Sequence, residues 1–119
     1  MLIWHKELWL IDHGASLYFH HTWDNWKEQM VKPFVQIKDH VLLYKAAKVR
    51  EVQDTYSARF SKENIQQVLA AIPDEWLVEE GRALTPAEVR ATYLDFLMGR
   101  LAHAELFIKQ IEHERENRI

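Results

Sequence analysis

The 119-residue chain has no cysteine, which excludes disulfide frameworks, thiolate zinc sites and a cysteine nucleophile. That absence is compatible with a reducing compartment. Glycine and proline are also scarce, with three of each, while 48% of the residues are hydrophobic and 12% aromatic. Such a composition lies far from that of disordered chains and predicts a folded core. Positive charge is in deficit: 15 Lys and Arg face 18 Asp and Glu, a net charge of −3. A nucleic-acid partner or an anionic membrane surface is therefore not expected. There is no run of 18 apolar residues and no basic start leading into an apolar stretch. We expect a soluble, cytoplasmic chain whose residues 1–119 form a single domain.

What is present begins with two short apolar runs, Leu2 to Trp4 and Leu8 to Ile11, separated by His5-Lys6-Glu7. They predict a β-hairpin within residues 1–14 that ends in Asp12-His13-Gly14. Residues 15 to 32 fit neither period and are expected to be irregular or short-helical. Beyond Pro33, residues 39–119 read as helical. Asp39 can cap a helix start, and the pattern then runs, with a break near Lys45, through Val49, Val52 and Tyr56.

Ser61 is a second candidate cap, and Ile65, Val68, Leu69 and Ile72 share a helical face before Pro73 ends the helix. Pro73 to Leu77 predicts a short turn that brings Trp76 and Leu77 to the core. The strongest local signal is Thr85-Pro86-Ala87-Glu88, which places a capping hydroxyl, a proline at the first helical position and a glutamate at the third. From it a long helix should carry Val89, Tyr93, Phe96, Leu97, Leu101 and Ile108 as its apolar stripe. Among the tryptophans, Trp9 and Trp76 are expected in the core, and Trp23 and Trp26 nearer the surface.

Asp12 is the leading candidate for chemistry, because a carboxylate at the end of a buried strand, followed by glycine, is a common way to present an acid to a metal or phosphate. Taken alone, Asp-x-Gly more often forms a simple turn. His20 and His21 lie close by, and His20 with Asp24 could meet on a helix. Adjacent histidines diverge in any regular structure, and no His-Glu-x-x-His spacing occurs, so a closed zinc site is not expected. Ser16 lacks a Gly-x-Ser-x-Gly elbow, Ser57 and Ser61 suit turns or caps, and the acid pairs Asp74-Glu75 and Glu79-Glu80 suit solvated helix starts or loops.

Several blocks, taken in order, carry a resemblance: Leu8 through His21, Pro33-Phe34, Ile37 through Leu43, and Ile72 through Leu77. They resemble the C-terminal part of the bacterial HipA-like kinase family, which is distantly similar to phosphatidylinositol 3- and 4-kinases. The resemblance implies that Asp12 corresponds to the acid of the kinase Asp-Phe-Gly signature, which binds the magnesium of ATP. His13, Gly14, His20 and His21 would be its neighbours. The family's catalytic loop, with its Asp base and metal-binding Asn, and its nucleotide-binding lobe precede the hairpin and are missing from this chain.

The expected fold is thus mainly α, an N-terminal β-hairpin followed by a helical bundle like a kinase C-lobe, with one long C-terminal helix. The function implied is the C-terminal portion of a HipA-like phosphotransferase, inactive alone and holding Mg²⁺ and ATP only when an N-terminal segment or partner completes it. The alternative is a non-catalytic helical module for protein interaction, derived from such a lobe. Either way the expected partner is a protein or the missing kinase segment, with a homodimer when the chain is isolated.

Overall fold

Leu2–Trp4 (β1) and Glu7–Trp9 (β2) pair antiparallel, with Leu2 opposite Trp9, Ile3 opposite Leu8 and Trp4 opposite Glu7. The computed structural model describes residues 2–11, 16–21, 23–78 and 81–117, with the backbone alone at Tyr18 and His21. The hairpin turn is one residue shorter than the spacing predicts. Glu7 belongs to the strand, and His5 and Lys6 make the turn alone, both in the left-handed region with φ of 50° and 66°. Positive φ at both central positions matches the twist of a two-residue hairpin, a geometry that usually recruits Asn and Gly. The His5 ring meets the Trp4 ring edge-on, with centroids 4.9 Å apart.

A 3₁₀ turn at Tyr18–His21 and the short helix α1 at Trp26–Val31 follow, in agreement with the irregular or short-helical reading. Asp39 does not cap a helix. It is the last residue of a 3₁₀ turn, Val35–Asp39, and the chain turns again at Leu43–Lys45 before α2 begins at Val49. The local reason is His40, whose Nδ1 accepts the Leu42 N–H at 3.2 Å and so takes the place that an Asp39 cap would have filled. Helix α2, Val49–Tyr56, has a clear apolar side, yet Val52 and Tyr56 on it remain exposed.

The backbone separates into two compact units, one of residues 1–49 with 105–119 and one of residues 50–104. In the first, the buried side chains are Phe19, Leu43 and Ile108, and the Phe34 N–H donates to Gln110 Oε1 at 3.1 Å, tying the segment after Pro33 to the C-terminal helix. The second is built on α3, Lys62–Ala70, and α4, Pro86–Ala102, which pack together and bury Ile65, Leu69, Leu77, Val89, Tyr93 and Phe96.

Both helices of the second unit start as their sequences dictate. Ser61 Oγ accepts the Asn64 N–H at 3.2 Å. Thr85 Oγ1 accepts the Glu88 N–H at 3.3 Å, and Glu88 returns the bond to the Thr85 N–H at 2.8 Å, a complete capping box. Arg90 adds side-chain donors at the end of α3: its Nε donates to Leu69 O at 3.1 Å, which also accepts the Ile72 N–H at 3.3 Å, and its Nη2 donates to Ile72 O at 2.5 Å and Asp74 Oδ1 at 2.6 Å.

The long C-terminal helix is present with one interruption. It stops at Ala102 and resumes as α5, Ala104–Glu116, with the His103 N–H shared between the carbonyls of Gly99 and Arg100 and its ring Nδ1 2.8 Å from Gly99 O. Leu97 and Leu101 are half-buried rather than part of the core. At about 100° per residue they lie roughly 80° and 120° around α4 from Val89, outside the arc that Val89, Tyr93 and Phe96 share.

Trp76 is 76% exposed and Trp9 49% exposed, correcting their expected burial. In the single 3₁₀ turn Asp74–Trp76 the chain brings Leu77 inward, and its neighbour Trp76 then faces out. Trp9 lies on an uncovered hairpin face. Trp23 and Trp26 are half-buried. No helix among the described residues is long and apolar enough to cross a membrane.

Candidate functional site

The strand register decides what the hairpin presents. Residues directly opposite each other share a face of the sheet, so Leu2, Trp4, Glu7 and Trp9 lie on one side and Ile3 and Leu8 on the other. Ile11 continues the first set, since with Leu2, Trp4 and Trp9 it lines an open, mostly apolar cavity of about 240 Å³. Leu10, between them, is 63% exposed. β2 thus ends at Trp9, two residues short of the expected Ile11, and Leu10 and Ile11 follow it as exposed apolar residues outside the strand. Asp12, His13 and Gly14, the centre of the predicted site, lie outside the described residues.

Downstream, His20 is half-buried in the 3₁₀ turn, its N–H donating to Leu17 O at 3.0 Å and its ring tilted toward Trp23 at 6.1 Å. The backbone of His21 closes the same turn. His20 and Asp24 do not share a helical face, because the turn ends at His21 and the backbone reverses at Trp23, with φ of 59°. Asn25 is also left-handed, at φ 54°, just before α1.

Phe19, fully buried, anchors this bend. Its ring meets Trp23 edge-on at 5.5 Å and Trp26 at 6.5 Å, and the Lys27 ammonium stands 5.5 Å from the centre of the Trp26 ring. Left-handed non-glycine residues cost conformational energy and persist where the surroundings hold them, here by aromatic packing and the Trp23 N–H bond to Phe19 O. The sequence signal for this bend was the Asp24-Asn25 pair, since Asn tolerates the left-handed region better than most residues.

Three of the remaining polar candidates have structural partners. Asp74 pairs with Arg90 at 2.6 Å, Ser57 Oγ donates to Asp54 O at 3.4 Å, and Ser61 caps α3. Glu79 and Glu80 lie outside the described residues. Among the described residues, no group of three or more histidines and acids converges as a metal site. The shifted acids belong to helix starts: the Thr85 N–H and hydroxyl hold the Glu88 carboxyl below its usual range, and a backbone N–H and Ser61 do the same for Glu63. Burial lowers the Arg100 guanidinium, which lies 5.7 Å from the Phe96 ring. Comparisons of the chain with protein-family models, with curated proteins and with solved structures give no match.

Proposed function

We propose that this chain is the C-terminal portion of a HipA-like phosphotransferase, contributing Asp12 as a magnesium ligand to a site completed by an upstream kinase segment or a partner. The observation that carries the reading is the two-stranded hairpin of residues 2–9, which precedes Asp12 in the sequence as the resemblance implies. A mainly helical chain after that hairpin agrees with it. As a donor set, one carboxylate fits one position around Mg²⁺, which takes oxygen ligands octahedrally and fills the others with phosphate oxygens and water. The bound ion would neutralise charge on the transferred phosphoryl group. This chain's own part is to supply the Asp12 carboxylate. Positioning and most of the electrostatic stabilisation come from groups outside it, so the chain alone is inactive.

The test is Mn²⁺ relaxation in NMR together with ATP hydrolysis. We expect hydrolysis at the buffer rate, weak Mn²⁺ broadening centred on the amides around residue 12, and loss of that broadening in Asp12→Asn. Tight metal binding elsewhere, or a metal-dependent ATPase of the isolated chain that disappears in Asp12→Ala, would overturn the reading. A second reading, a non-catalytic interaction module, is favoured by the open apolar hairpin and by the exposed Val52, Tyr56 and Phe60 on and after α2. An adjacent or fused reading frame encoding a nucleotide-binding lobe separates the two.

A further inference from the structure

The hairpin combines three features that do not make a stable unit alone. It is a two-stranded sheet, marginal in water without a third strand or a covering layer. Its turn holds two non-glycine residues in the left-handed region. Its side chains Ile3, Trp4, Leu8, Trp9, Leu10 and Ile11 are between 42% and 63% exposed, on both faces. Long apolar edges of this kind are usually blunted by charge, proline or a bulge. Here the only charges are Lys6 in the turn and Glu7 at the first position of β2.

The register also fixes which backbone groups are free to pair. In a two-residue hairpin the closing pair, Trp4 with Glu7, is hydrogen-bonded, and alternation makes Ile3 with Leu8 the non-bonded pair. The N–H and C=O of Leu8 therefore point away from β1, and those of Leu10 follow by the two-residue period. On β1 only Ile3, among the described residues, faces out in this way. The β2 edge is the richer one.

We propose that β2 pairs antiparallel with β2 of a second copy of this chain, forming a four-stranded sheet across a twofold axis at Trp9. In that register Leu8 of each copy exchanges backbone hydrogen bonds with Leu10 of the other, and Trp9 meets its own counterpart in a non-bonded pair, where side chains approach most closely. The edge is thus complementary to itself, as a twofold contact requires. The surface is small: the six apolar side chains leave on the order of 700 Å² open per copy, taking large side chains at about 150–250 Å² each. Pairing along β2 would cover about half of that on each copy, about 700 Å² in all and below the ~1,200 Å² of standard specific interfaces, so the dimer is weak and transient and relies on the backbone bonds of the paired edges. The inference uses the hairpin alone and does not depend on the role assigned to Asp12.

The absence of cysteine gives a direct test. A single Trp9→Cys substitution should form a covalent dimer on mild oxidation, since the paired Cα atoms would stand about 4.5 Å apart, within disulfide reach. Ile3→Cys, on the outer strand, should not. Sedimentation of the unsubstituted chain across a dilution series should show a weak monomer–dimer equilibrium that shifts to dimer as concentration rises. Leu10→Pro, which removes one pairing N–H, should shift it to monomer with an unchanged circular dichroism spectrum. A monomer at every concentration, Ile3→Cys cross-linking as readily as Trp9→Cys, or a dimer that survives Leu10→Pro would each overturn the proposal.

Discussion

The hairpin is more apolar in sequence than the α3–α4 pair, yet the hairpin is open and the helices are packed. Leu2 to Ile11 contains seven Leu, Ile and Trp residues in ten positions, and six of these are exposed. In α4, by contrast, Val89, Tyr93 and Phe96 are at most 6% exposed. The difference lies in what surrounds the apolar residues. The helices have defined caps at their starts, and Arg90 joins the end of α3 to α4. The hairpin has apolar residues on both faces and a turn made of residues poorly suited to it. Apolar content alone therefore does not determine burial; an apolar face needs a second element of matching geometry beside it.

The largest expected effect is at the packed end of the comparison. Phe96→Ala should cost about 3–5 kcal/mol in urea unfolding, since it removes a buried ring and leaves a cavity. Trp9→Ala, by contrast, should change the stability of the monomer by no more than about 0.5 kcal/mol, as expected for an exposed site. Equal costs at the two positions would break the contrast.

Arg90→Met should cost about 1–3 kcal/mol, because it removes the Arg90 donors to the part-buried carbonyls of Ile72 and Leu69, the latter keeping only its backbone bond. Arg90→Lys should recover little of it, because an ammonium cannot reproduce the forked geometry that reaches three acceptors. Calorimetry of the two variants distinguishes these outcomes.

A smaller effect, about 1 kcal/mol, is expected for Thr85→Ala at the head of α4. The same cap gives a pH dependence. The folded Glu88 carboxyl lies below its ordinary value of 4.5, so its contribution is present above that value and is lost as pH falls through the folded one. Thermal unfolding from about pH 6 to about pH 3 should therefore lose more stability in the unsubstituted chain than in Glu88→Gln.

The smallest effect sharpens the open end. Lys6→Gly should favour the hairpin locally by about 1 kcal/mol, because glycine takes φ of 66° without strain. Slower exchange of the Glu7 and Trp9 amides, with global stability unchanged, is the expected result. No change in exchange would mean that the left-handed turn carries no cost in this setting.

By itself the sequence determined the features that depend on neighbours along the chain. The hairpin followed from two apolar runs, α3 from Ser61 and its stripe, and α4 from Thr85-Pro86 with Glu88, because capping and periodicity act within a few residues. Tertiary structure decided much of the rest. Trp76 faces out because Leu77 took the inward place, and Leu97 and Leu101 lie off the arc that meets α3. Two further departures are local: Asp39 yields to His40, and the helix breaks at His103, where the ring and N–H bond back to the last turn. Of the site, the route to Asp12 and the turn holding His20 and His21 were legible as segments. Arg90 was not marked as important by any spacing, because its partners lie 16 to 21 residues away in sequence and come within reach only when α3 and α4 pack.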